Sequence, residues 1–349
     1  MMLCVRTILR GAGQVMFQCS SWTGLLFLAG IFWGAYSAAT PQVAWGAVTG
    51  LCASTLAGYL LKEKNSDGDE GLWGFNGILV GCAFPTFCAN TWLMWASLIF
   101  FSMLSTWLRK GFNNIMAPWK INSLTFPFVF LTWMFLFASR IFDGIQPIGL
   151  SHAELPESFS FSLDTSFLSL VEYWLKGISQ VFLINSWVTG ILFLVGLAIC
   201  NCWAALWAAV GSALSLALAI LFKANPSDIA NGLFGFSPVL TGIAIGMTFY
   251  EVNWKTALWA IAGIIATFFI QAGMDVMMEP WGLPTLTGPF CVATWIFLLP
   301  LYKFGKGEQD FSRWRSRIKE VQQRVDTDLT DAIDNITEKD KGITDNQKK

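Results

Sequence analysis

Two glutamines and two threonines carry the polar chemistry of this sequence. Gln14 and Gln180 each sit in a Gly-x-x-Gln-Val block at the head of an apolar run. A glutamine amide turned toward lipid would leave its polar atoms unmet, at a cost of a few kcal/mol. It must face protein, as glue between helices, or a polar passage. Thr125 and Thr287 each stand in Leu-Thr-x-Pro-Phe. The following prolines, Pro127 and Pro289, remove a backbone donor and make the local backbone irregular. A hydroxyl there can cap a helix or offer an oxygen to a passing ligand. Phe75 and Leu79, like Phe236 and Leu240, are four residues apart, on one face if helical. Such pairs pack a core or wall a passage. Glycines at 71, 74, 232 and 235 favour close backbone approach, and Asn76 and Ser237 can cap the helices that follow.

This is hydrogen-bonding chemistry rather than bond-making chemistry. The sequence has no phosphate-binding loop, no dinucleotide fingerprint and no His/Cys metal cluster. Its eight cysteines form no C-x-x-C pair and read as small buried hydrophobes. Coupled transporters place a charge within the membrane, whereas Asp143, Asp275, Glu279 and His152 fall at the ends of apolar runs or in loops. The expectation is a protein that is not an enzyme, has no cofactor, and conducts a neutral solute passively. A net charge of −1 gives no reason to expect nucleic acid as a partner.

The elements that hold these residues must lie in a bilayer. Of 349 residues, 54% are hydrophobic and 13% charged, against about 25% charged in soluble domains. From residue 303 onward lie 11 basic and 10 acidic residues, 21 of the 45 charges in the chain. The preceding 302 residues are too poor in charge to cover a water-soluble fold. The expected fold class is an all-α polytopic membrane protein. Ten spans are expected, five per half: 14–36, 43–61, 76–87, 92–108 and 124–139, then 181–200, 202–222, 237–249, 254–273 and 286–301. Two of these are short and follow Gly-rich segments. Irregular stretches at 111–122 and 275–284 precede the last span of each half. Such pieces read as re-entrant half-helices, tolerated at membrane depth where they line a cavity or are buried in protein.

The chain also repeats itself. Residues 11–30 match 177–196 with ten identities in twenty, 71–83 match 232–244 with seven in thirteen, and 122–136 match 284–298 around Leu-Thr-x-Pro-Phe. Five spans per copy is an odd number, so the second copy must enter from the opposite face: the two repeats have inverted topology, with a site near the midplane. Arg6, Arg10, Lys62, Lys64, Arg109, Lys110, Lys120, Lys255 and the tail fall on one side, and Arg140, Lys176 and Lys223 on the other. That bias puts both termini in the cytoplasm. The expected divisions are a first repeat (1–140), an extracytoplasmic linker (141–170), a second repeat (171–303) and a cytoplasmic tail (304–349).

With these blocks assembled, the sequence resembles the urea transporter family over about residues 5–303. The resemblance rests on Gly11–Val15 and Gly177–Val181, on Gly-Leu-Trp-Gly-Phe-Asn at 71–76 with its second copy at 232–237, and on Leu-Pro-x-x-Thr-x-Pro-Phe at 283–290. The first copy of the last motif, 121–128, departs at the Leu-Pro pair. The resemblance implies a homotrimer in a cell membrane, inner or plasma, with one pore per protomer. Two flat apolar slots would flank a narrow middle lined by oxygens. By matched position, Val15, Phe75, Leu79, Val181, Phe236 and Leu240 line the slots, with Phe17 added. Gln14, Gln180, Thr125 and Thr287 supply polarity. Urea is flat and neutral, with four N–H donors and one carbonyl. A slot between Phe faces admits it, and a row of oxygens passes it on by exchanging similar hydrogen bonds. Alternatives are a channel for ammonia, water or short amides, and a membrane scaffold or sensor acting through its tail. In that tail Trp314, Ile318, Val321, Val325, Leu329, Ile333 and Ile336 recur at helical spacing, with a polar, disordered end from Glu338.

Overall fold

A computed structural model describes residues 2–61, 65–148, 150, 161–302 and, in the tail, 320, 323, 324, 326, 327 and 330. Among these the fold is all-helical, with an isolated bridge between Cys88 and Pro147 as its one extended pairing. The first half runs α1 (Met2–Gln14), α2 (Ser21–Ser37), α3 (Pro41–Leu60), α4 (Asn65–Asp69), α5 (Phe75–Phe87), α6 (Trp92–Met116) and α7 (Phe126–Ser139). The second runs α8 (Phe167–Ser179), α9 (Trp187–Cys200), α10 (Cys202–Leu221), α11 (Pro226–Ala230), α12 (Phe236–Ile243), α13 (Trp254–Met278) and α14 (Gly288–Leu298). Single 3₁₀ turns at Ala117–Trp119 and Glu279–Trp281 follow α6 and α13. The two halves therefore step through the same elements in the same order. The expected amphipathic pattern of the tail, and His152, lie outside the described residues.

The helices form as apolar sequence in a bilayer requires, with backbone groups satisfied internally. Side-chain oxygens of Ser20, Thr91, Ser186 and Asn253 accept from the first free N–H groups of α2, α6, α9 and α13. Pro41–Leu60, Cys202–Leu221 and Trp254–Trp281 are each long and apolar enough to cross a bilayer. Outward faces carry Trp33, Trp45, Phe100, Trp107, Leu221 and Leu258, all exposed, as lipid-facing surfaces do. Within each half the same packing recurs: α3 against α5 and α6, and α10 against α12 and α13. The halves meet chiefly through α2 and α9.

Several boundaries differ from the sequence reading. The runs 14–36 and 181–200 are not single helices. Phe17 (φ +62°) and Leu183 (φ +61°) adopt left-handed backbone at matched positions, which stops α1 and the turn after α8. Helix α8 with its 3₁₀ turn meets α9 at 72°. Gln14 therefore ends α1 rather than opening a span, and Gln180 begins the turn after α8. Helices α6 and α13 run 25 residues each, well into the stretches read as irregular. What remains non-helical is about one turn and a short extended piece before α7 and α14. Leu124 (φ +53°) and Leu286 (φ +51°) are left-handed there.

Contacts between the halves come in reciprocal pairs. Thr23 Oγ1 donates to the Gly196 carbonyl at 2.7 Å, and Thr189 Oγ1 to the Gly30 carbonyl at 2.7 Å. Trp133 Nε1 donates to the Pro284 carbonyl at 2.9 Å, and Trp295 Nε1 to the Asn122 carbonyl at 2.9 Å. Phe27 and Phe193, matched in the repeat, have ring centroids 4.8 Å apart.

Candidate functional site

Each glutamine is held by the Gly-rich loop of its own half. Gln14 Nε2 donates to the Glu70 carbonyl at 2.7 Å, and Gln180 Nε2 to the Asn231 carbonyl at 2.9 Å. Those carbonyls immediately precede Gly71 (φ +78°) and Gly232 (φ +71°). A Cβ on Gly71 would stand 2.5 Å from the α1 backbone at Gly11 N, and one on Gly232 2.5 Å from Gly177 N. The glycine lets the loop lie directly on the helix that carries the glutamine. With its nitrogen committed to the loop, the amide keeps its oxygen as an acceptor.

Thr125 and Thr287 occupy the N-cap positions of α7 and α14, yet neither side chain caps its helix. Their hydroxyls instead meet each other at 2.7 Å, and Thr125 Oγ1 also lies 3.4 Å from Cys291 Sγ. Both threonines are buried. Asn76 and Ser237 do not cap their own helices either, because Gly74 and Gly235 hold those positions. Asn76 Oδ1 reaches across to accept from Phe128 N–H, near the start of α7, at 3.2 Å.

A cavity of about 110 Å³ lies against this arrangement. Gln14, Val15, Phe17, Phe75 and Thr125 all line it. Phe17 closes one side edge-on, its ring centroid 5.8 Å from that of Phe249 and 6.1 Å from that of Phe290. Thr287 is joined to this wall through Thr125. Gln180, Val181, Leu79 and Leu240 are buried and Phe236 half-buried, in packing outside the cavity lining. The sequence thus points to five residues that the fold gathers at one cavity and a sixth that touches them.

Other lining residues have weaker signals. Thr248 and Phe249 reach the cavity through a π-helical turn, Ala244–Thr248, that continues α12. Arg109, which the charge pattern assigns to the inner, cytoplasmic side, also lines the cavity. It is buried in α6 and paired with Asp67 at 2.8 Å. Asn113 Oδ1 accepts from Ser123 N–H at 2.8 Å, and at the matched place Asp275 Oδ1 accepts from Thr285 Oγ1 at 2.8 Å. Those bonds pin the extended pieces that aim the two threonines. Thr132 and Thr294, one pair of matched positions, are buried with hydroxyls that meet no partner among the described residues. The Thr-Trp dipeptide kept in both repeats is the available signal for them.

Residues 5–302 match the family described as Urea transporter. The chain is 31% identical over 296 residues to Urea transporter 1 of Ovis aries, covering 84% of this chain and 76% of that protein. It is 31% identical over 299 residues to Urea transporter 1 of Rattus norvegicus, with the same coverage. A match across both repeats and every motif that builds the cavity places the chain in the urea transporter family.

Proposed function

We propose that this protein carries urea passively down its gradient, through a passage enclosed by each protomer. Family membership makes it a transport protein of the membrane rather than an enzyme. The name shared by its relatives supports urea as the solute. The observation that carries the mechanism is the Thr125–Thr287 contact at 2.7 Å. Two hydroxyls that satisfy each other close the way while it is empty. Each can both donate and accept. A flat solute with N–H donors and a carbonyl acceptor can therefore replace their mutual bond with bonds of its own. The exchange is nearly even, so binding stays weak enough for release. An ion has no such replacement for its hydration shell against Phe17, Phe75 and Val15.

The same passage extends, on this reading, along both halves. Gln14 with Val15, Phe17 and Phe75 walls one side of the threonine pair, and Gln180 with Val181, Leu79, Phe236 and Leu240 continues the path. The reciprocal bonds Thr23–Gly196 with Thr189–Gly30, and Trp133–Pro284 with Trp295–Asn122, support two inverted repeats. Such exchanged contacts are what a two-fold relation produces. Ten spans, a homotrimer, and cytoplasmic termini on both sides of residues 1–303 belong to the same proposal.

The test is flux. Purified protein in liposomes collapses a urea gradient without Na⁺ or a proton gradient. A requirement for either gradient rejects passive conduction, and faster movement of ammonia or water than of urea rejects the solute.

A further inference from the structure

The tail beyond residue 302 lies outside the family match, yet one of its residues is among the most buried charges of the molecule. Asp326 is 2% exposed. Its Oδ2 takes a hydrogen bond from Arg10 Nη2 at 2.9 Å and one from Ser21 Oγ at 3.1 Å. Its Oδ1 takes one from Ser21 N–H at 2.7 Å and one from Ser20 Oγ at 3.2 Å. Four donors from α1 and the start of α2 thus converge on one carboxylate. They satisfy the charge, and the carboxylate in turn caps the N-terminus of α2. Arg10 also grips the neighbouring loop, where its Nη1 donates to the Asp69 carbonyl at 2.9 Å. The next carbonyl, that of Glu70, holds Gln14 of the cavity. Among the described residues, none from the tail lines the cavity itself.

We propose that the Arg10–Ser20–Ser21 corner is a docking site for the C-terminal segment around Asp326, and that the docked tail braces the cavity mouth. The brace runs through direct contacts only: Asp326 fixes the Arg10 guanidinium, Arg10 fixes the 69–70 backbone, and that backbone fixes Gln14. The partner is the chain's own tail, because one carboxylate of that tail draws hydrogen bonds from all three residues of the corner.

Hydrogen–deuterium exchange on the full chain in nanodiscs tests this independently of which solute is carried. Asp326→Asn is expected to speed exchange in peptides covering 16–24 and 66–74 by about tenfold, the loss of one charge-assisted contact. Arg10→Gln has the same effect, and the double variant exchanges no faster than the faster single one. Asp326→Glu, which keeps the charge, stays within about threefold of the parent chain. Monodisperse elution of each variant establishes that it assembles. Unchanged exchange at 16–24 in Asp326→Asn overturns the docking site. Faster exchange at 16–24 with none at 66–74 overturns the brace. Additive effects of the two single changes show separate contacts and overturn it as well.

Discussion

The two halves share an element order but differ in how they use it. In the first, Arg109 pairs with Asp67 and lines the cavity wall. At the matched positions the second half has Gln271 and Asp228. Gln271 donates to the Leu233 carbonyl, and its own buried oxygen meets no hydrogen-bond donor among the described residues. Burial, with the Glu279 charge facing it, pushes the Asp228 carboxyl above its ordinary value. Helix α5 continues regularly through Pro85, whereas α12 gives way to a π turn that delivers Thr248 and Phe249 to the first half's cavity. Duplication has kept the backbone frame, including left-handed residues at matched places, while the Arg109–Asp67 ion pair of the first half is matched in the second by an amide, Gln271, and a carboxyl, Asp228. The lesson is that symmetry of chain path does not require symmetry of function at each position.

Four experiments can break or sharpen that contrast. The largest effect is expected at the shared centre. Thr125→Val and Thr287→Val should each slow urea flux in liposomes by about tenfold or more, the value of a lost polar contact at a buried site. Because the residues share one bond, the double variant should add little. Strongly unequal single effects would mean that the two hydroxyls do not work as a pair. Next come the glutamines. Gln14→Leu should reduce flux by about fivefold and Gln180→Leu by less, because Gln14 alone of the two lines the cavity. Equal losses would show that the second half contributes an equivalent wall. Third, Arg109→Gln makes the first half resemble the second and leaves Asp67 unpaired. The thermal midpoint in detergent should fall by about 3–6 °C. Pairing it with Asp67→Asn should recover part of the loss, and no recovery would mean that Arg109 acts through other contacts.

The smallest effect concerns Asp228. A carboxyl whose pKa is raised by folding favours its neutral form in the fold. Stability is then greatest while it is protonated and declines as pH rises past the ordinary carboxylate range. Asp228→Asn should raise the thermal midpoint at pH 7 by about 1–2 °C. The gain should vanish below about pH 4, where the parent residue is protonated in both states. A gain that persists at low pH would trace to packing rather than charge.

The sequence made some of this legible and hid the rest for physical reasons. Gln14, Phe75 and Thr125 stand out because polar or aromatic residues recur in register in otherwise apolar sequence, and they do meet at one cavity. The breaks at Phe17 and Leu183 are invisible because bulky residues rarely adopt left-handed backbone. Only tertiary packing holds them there. The length of α6 is hidden by Arg109, Lys110 and Gly111, which mark a span's end in composition but not in backbone. The threonines read equally well as caps. What decides between cap and contact is the position of the other half, which local sequence does not carry.

The exchanged tryptophan bonds bear on how the protein is made. The Asn122 carbonyl finds its donor, Trp295, 173 residues later in the chain. At ordinary synthesis speeds the ribosome reaches that residue roughly 9–35 s after Asn122. Until then the contact that Trp295 makes across the halves cannot form, so this part of the seam closes only after the second half has been made.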